Sequence, residues 1–228
     1  MKKIIADSGC DLKSINCSLP DVAYERVPFK INIGEQVYAD TLDLDVRGFA
    51  SQLRQTKEKT CSACPSPQEW LHAYGDADEI YVFTISGTLS GSYNSAVLAS
   101  NLLKEKNPDV KIYIMNTLSI GGEMALLVDK TIELLEQGKN FDEVCQGLDE
   151  YSQNLEVFFM MDNIDNLVNN GRMNRIAGIA VNLLGINIMI RPSDRGEVEV
   201  IGKTRGTARC LQHIFKEMIK YGYDGGKV

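Results

Sequence analysis

Apolar residues come in short unbroken runs through much of the chain, and three of these runs end in a cluster of small polar residues and glycine. Residues 3–6 run into Asp7-Ser8-Gly9, and residues 80–85 into Ser86-Gly87-Thr88-Leu89-Ser90-Gly91-Ser92. Residues 110–115 run into Asn116-Thr117-Leu118-Ser119-Ile120-Gly121-Gly122. Such runs, rich in β-branched and aromatic residues, predict strands buried on both faces. Behind the second cluster Ala96, Val97, Leu98, Ala99, Leu102 and Leu103 recur at helical spacing, and a helix is predicted over 124–137 behind the third. Strand, polar loop and helix in repetition imply an α/β domain with a parallel sheet, its successive loops facing one edge. Open sheets take their ligands at that carboxyl edge.

The other segments follow different patterns. Residues 27–33 and 36–38, split by Gly34-Glu35, predict a hairpin that Pro28 keeps near a sheet edge. Asp45 caps a predicted helix through Leu53, and a further helix spans 141–151. Ser66, Pro67 and Glu69 together form a helix start: a hydroxyl cap, a proline in the first turn and a carboxylate three residues on. Beyond Ser152-Gln153-Asn154 the character changes. A strand is predicted over 156–161, then Gly171-Arg172-Met173-Asn174-Arg175 leads into an apolar segment, 176–184. Neighbouring strands over 186–190 and 197–201 precede a last helix with Ala208, Leu211, Ile214, Phe215 and Met218 on one face. The chain therefore divides into an N-terminal α/β lobe, residues 1–155, that carries the Ser/Gly loops, and a second α/β lobe, residues 156–228.

The central loop places backbone amides and several hydroxyls at the positive end of a helix, an arrangement that holds a small anion. Its glycines, Gly87 and Gly91, do not make the G-x-G-x-x-G fingerprint, and no lysine follows Gly91 as a P-loop requires. G-x-S-x-G is absent as well. Hydroxyls without an adjacent histidine or lysine fit holding an anion better than attacking a carbonyl. The plainer reading, that these serines cap a helix and let it pack closely on its strand, stays open beside it. In the second lobe Gly202-Lys203-Thr204 resembles the end of a P-loop, but Glu197 stands where its first glycine belongs.

Composition narrows the classes further. Of 228 residues 44% are hydrophobic and 24% charged, as in an ordinary globular protein, and the net charge of −7 argues against non-specific nucleic-acid binding. No segment approaches the roughly 18 apolar residues of a membrane span. Asp7 ends the first apolar run too early for a signal peptide. Six cysteines are too few for a disulfide scaffold and imply a reducing cytoplasm. Cys61-x-x-Cys64 allows a redox pair or half a zinc site. No second such pair exists, the histidines are only His72 and His213, and the helix starts several residues later, so a metal or redox role ranks last.

Asp7-Ser8 after the first strand, the Ser62…Pro65-Ser66-Pro67 segment, the pattern Ser86-x-x-Leu89-Ser90-Gly91-x-Tyr93-x-Ser95-Ala96, and Gly171-Arg172 together resemble the DegV family, over essentially all of the chain. The resemblance implies two α/β lobes binding one long-chain fatty acid, its tail in an apolar tunnel and its carboxylate between the lobes. It implies a lipid-presenting subunit that is not an enzyme and has no cofactor beyond the fatty acid. A separate fatty acid kinase would make the acyl phosphate. The family's Thr-Ser-Gln-Pro segment falls on Ser62-Ala63-Cys64-Pro65, so Ser62 keeps a carboxylate-holding hydroxyl. Ser90 is the second such ligand, with Gly91 beside it, and Arg172 supports the headgroup electrostatically. Asp7, Ser8, Ser119 and Gly121 are expected at the pocket edge. The family continues past residue 228 with a strand, a helix and a closing segment whose histidine completes the site, so the second lobe is expected to be incomplete. The rival reading is a small α/β enzyme that acts on a phosphorylated metabolite through the same loops.

Overall fold

The computed structural model describes residues 1–173 and 185–226, and the chain separates into two compact units, Met1–Leu155 and Glu156–Val228. In the first, a parallel sheet has the order β2-β1-β6-β7, made of β1 (Lys2–Asp7), β2 (Val22–Val27), β6 (Glu79–Thr84) and β7 (Lys111–Asn116). Side chains alternate across the two central strands. Ile4, Ala6, Tyr81 and Phe83 face α4 (Gly122–Glu136) and α5 (Phe141–Ser152) in one buried cluster. Ile5, Ile80 and Val82 face α2 (Pro67–Tyr74) and α3 (Ser92–Lys106) in another, with Trp70 and Tyr74 fully buried there. Both faces of the sheet are covered, which is why the middles of its central strands, residues 4–6 and 80–83, are apolar at every position.

From β1 the chain passes to β2 on one side and later to β6 on the other. The strand order therefore reverses between β1 and β6. Their carboxyl ends frame the crevice where doubly wound sheets take ligands. Two of the intended loop clusters, at Ser8 and Ser90, flank this point.

A second, three-stranded antiparallel sheet in this unit has the order β4-β3-β5, from β3 (Lys30–Ile33), β4 (Gln36–Ala39) and β5 (Thr60–Ala63). The hairpin is as expected about Gly34, but Val27 belongs to β2 instead, and Pro28 breaks the chain between the two sheets. β2 escaped the hydrophobic pattern because it is an edge strand with charged residues. Glu25 pairs with Lys3 at 3.0 Å, and the Arg26 guanidinium donates to Ser8 O at 3.0 Å. β5 is short and lacks bulky apolar side chains. The caps are as read: Asp45 accepts from Gly48 N–H at the start of α1 (Val46–Gln55), and Ser66 with Glu69 closes a capping box on α2.

The second unit holds an antiparallel sheet of order β10-β9-β8, from β8 (Phe159–Met161), β9 (Ile186–Pro192) and β10 (Val198–Arg205). It also holds α6 (Asp165–Asn169), which the pattern did not predict, and α7 (Thr207–Lys220). The strand expected over 156–161 forms only in its last three residues. On α7 the buried position is Cys210, with Ile214 and Met218 half-buried, whereas Leu211 and Phe215 of the expected apolar face are exposed. The apolar segment expected over 176–184, with Asn174 and Arg175 before it, lies outside the described residues.

Gly9 is a close-approach position: a Cβ added there would meet Ile85 Cγ2 at 2.2 Å. Ile85 is itself buried, so it cannot swing away freely. Gly9→Ala is expected to destabilise the fold by about 1–3 kcal/mol. The change should be read as a lower urea midpoint with an unchanged m-value.

Candidate functional site

The loop after β6 is built around one carbonyl. Ser86 O accepts the N–H groups of Leu89 and Ser90 at 3.0 and 3.1 Å, and Ser86 Oγ accepts from Thr88 N–H at 3.3 Å. This local folding is what short hydroxyl side chains offer a backbone outside a helix. It carries Ser90 to the start of α3, where Ser90 Oγ accepts the N–H of Ser92 at 3.2 Å. Ser90 is half-buried and Gly91 exposed. Gly91 is the N-cap of α3 and has no side chain to cap that end, so beyond the Ser92 N–H held by Ser90 Oγ the first turn has no side-chain cap. The amides that follow Ser92 in the first turn carry the partial positive charge of the helix end.

β5 comes up against the same place. A Cβ at Gly91 would lie 3.2 Å from Cys64 Sγ, so the residue just beyond β5 touches the Ser90-Gly91 turn. Ser62, two residues earlier on β5, is exposed and pairs with Ile31 across the sheet. The two serines expected to hold a carboxylate therefore stand on adjoining segments of the first unit. The cysteines do not work as a pair. Cys61 Sγ accepts from Asn32 Nδ2 at 3.7 Å while Cys64 faces Gly91, and three residues of extended strand span about 10 Å. Among the described residues no cluster of His, Cys, Asp and Glu could hold a metal ion, and no helix is long and apolar enough to cross a membrane.

The remaining expected residues lie deeper. Asp7 is fully buried. Its Oδ2 accepts from Ile85 N–H at 2.9 Å and from the Ser92 hydroxyl at 2.6 Å, and its Oδ1 accepts from Gly9 N–H at 3.1 Å. Burial raises its pKa to about 6, against the lowering effect of these bonds and of the Arg26 charge. Ser8 is buried and accepts Phe29 N–H at 3.0 Å. Ser119 is buried too, its carbonyl accepting Ser86 N–H at 2.9 Å, and its hydroxyl has no hydrogen-bond partner among the described residues. Gly121, at φ +74°, donates its N–H to Gly9 O at 2.9 Å. Arg172 belongs to the second unit, where it is exposed and its guanidinium donates to Asn170 O.

One positioning residue escaped the sequence reading. Asn116, at the end of β7, accepts through Oδ1 from Gly87 N–H at 2.9 Å and from Leu118 N–H at 3.3 Å. It links the second and third loops and holds Leu118 at φ 55°, a left-handed conformation that is costly for a leucine. An asparagine just past an apolar run is the only hint the sequence carries.

A family model described as "Uncharacterised protein, DegV family" matches residues 1–227. A DegV domain-containing protein of Streptococcus pyogenes serotype M1 is 41% identical over 226 residues, covering 99% of this chain and 81% of its own. Among solved structures, the Streptococcus pneumoniae Fatty Acid Kinase (Fak) B3 protein loaded with linoleic acid is 40% identical with a TM-score of 0.95, covering 99% of this chain and 80% of that one. A Eubacterium eligens DegV family protein loaded with heptadecanoic acid is 32% identical with a TM-score of 0.93, covering 100% and 81%.

Asn116→Ala leaves two amides without their acceptor and is expected to lower stability by about 1–3 kcal/mol. Hydrogen exchange should quicken at Gly87 and Leu118 before it does in the central strands.

Proposed function

Because the chain belongs to the DegV family, we propose that it binds one long-chain fatty acid and presents the acid's carboxyl group to a separate fatty acid kinase. The observation that carries the reading is the likeness to solved chains that hold linoleic and heptadecanoic acid. The geometry of the first unit supports it. A carboxylate leaving water needs charge-assisted hydrogen bonds, and Ser62, Ser90 and the uncapped start of α3 at Gly91 are donors on adjoining segments. The tail, in an apolar tunnel, gains about 0.8 kcal/mol for each buried CH₂, so few polar contacts are needed for tight binding.

The kinase partner is inferred from the name of the pneumococcal neighbour. On this reading the chain itself is not an enzyme. The serines hold and aim the acid, and the partner supplies the machinery of phosphoryl transfer. The competing reading, an enzyme acting on a phosphorylated metabolite, uses the same donors for a phosphate.

Mass spectrometry of an organic extract of the purified protein should find a long-chain fatty acid at near-stoichiometric amount. Turnover of a phosphate ester by protein without lipid would favour the competing reading. Ser90→Ala should weaken fatty-acid retention by roughly tenfold, the worth of one hydrogen bond to a charged group, while the protein stays folded with only about 1 kcal/mol lost with the acceptor of Ser92 N–H. Unchanged retention would remove Ser90 from the headgroup site.

A further inference from the structure

Asp7 is the only carboxylate among the expected site residues, and it faces inward. Its Oδ2 receives both Ile85 N–H, the first amide beyond β6, and the Ser92 hydroxyl, the first side chain of α3. One oxygen thus ties together the two ends of the loop that carries Ser90. Ser92 continues the connection, since its own N–H donates to Ser90 Oγ. With Ser90 Oγ accepting from that side, its O–H remains the group to donate to a ligand.

We propose that Asp7 is the positioning residue of the headgroup loop: through Ser92 its ionised carboxylate sets the place and the donor direction of the Ser90 hydroxyl, and neutralising it weakens the grip on a fatty-acid carboxylate. The inference rests on the fatty-acid reading above and adds a residue that never touches the ligand. A carboxylate accepts all three of its present donors, whereas a carboxylic acid turns one oxygen into a donor and must release a partner. With the pKa of Asp7 raised to about 6 by burial, that exchange falls in a range open to experiment. The charged and titratable groups around it are Arg26, a fixed positive charge with Asp40 at 4.0 Å behind it, and Cys10 and Tyr24. Burial pushes the pKa of Cys10 and of Tyr24 upward, so both stay neutral in that range.

The sign of the stability effect separates this clamp from acid unfolding. The folded carboxyl binds its proton more readily than the unfolded one, whose ordinary value is 3.8. Its contribution to stability therefore grows as the pH falls through about 6 and is lost as the pH rises again. Ligand retention should move the other way.

The test is equilibrium dialysis of linoleic acid against wild type, Asp7→Asn and Ser92→Ala from about pH 7.5 to about pH 5, with urea unfolding in parallel. Wild type should lose affinity by about tenfold, stepping near pH 6. Asp7→Asn should already be about tenfold weaker at the upper end, without that step and with an unfolding midpoint no lower than wild type. Its profile records the titration of the ligand alone. Ser92→Ala removes the hydroxyl through which Asp7 acts, so it too should bind about tenfold more weakly at the upper end and lose the step. Asp7→Asn that binds as wild type does, or more tightly, overturns the clamp. Should Asp7→Asn not fold, a Ser92→Ala variant that binds as wild type does and keeps the step overturns it instead. Wild type that binds no linoleic acid at any pH defeats the fatty-acid reading, and the clamp is then judged by amide exchange at Ile85, which Asp7→Asn must accelerate.

Discussion

Backbone groups withdrawn from water at the carboxyl edge of the main sheet must find their partners inside the protein, and this constraint shapes the first unit. Three loops leave that edge, and none satisfies itself alone. Asp7 takes donors from its own turn, from the end of β6 and from the start of α3. Ser86 and Gly87 of the second loop donate to Ser119 and Asn116 of the third, and Gly121 of the third donates back to Gly9 of the first. The edge is a closed ring of mutual hydrogen bonds. A left-handed Leu118 and a left-handed Gly121 are held in it because the neighbouring loops dictate where their amides point.

Such a ring divides the hydroxyls into two kinds. Ser86, Ser92 and Ser119 are buried and belong to the ring, and Ser8 is buried against β2 and Phe29, whereas Ser90 is half-buried and Ser62 exposed. A loop held from behind in this way loses little freedom when an anion arrives, and preorganisation of that kind is what lets a few weak donors bind well. The apolar faces supply the rigidity. With α2 and α3 on one side of the sheet and α4 and α5 on the other, β1 and β6 have nowhere to shift, and their ends stay fixed.

Much of this was legible in the chain, for identifiable reasons. β1, β6 and β7 are apolar runs because the sheet is covered on both faces, and α1 and α2 announce themselves through Asp45 and the Ser66–Glu69 box. β2 was hidden because an edge strand carries charges, here Glu25 and Arg26, and β5 because four small residues leave no periodicity. The site was half legible. That Ser90 and Ser62 lie on touching segments depends on a long-range contact of Cys64 with Gly91, which no local pattern encodes. Nor does a polar residue at or just past the end of a strand declare which way it faces: Asp7 and Ser8 after β1 and Ser119 after β7 are all buried.

Asp7 raises an electrostatic question that geometry answers in part. If the start of α3 takes the carboxylate proposed above, a buried negative charge beside it should repel that ligand, and the helix end is the favourable place for either of them. The two charges need not compete if they use different donors. Asp7 is served by the Ser92 side chain and by two amides outside the helix, those of Ile85 and Gly9, so the first-turn amides of α3 are not spent on it. Its charge is thereby turned into fixed dipoles: the Ser92 hydroxyl points inward, the Ser92 amide meets Ser90 Oγ, and the Ser90 proton is left as the donor. In a site without a nearby lysine or arginine of its own segment, the orientation of that one proton decides whether the hydroxyl greets an anion as a donor or turns its lone pairs on it.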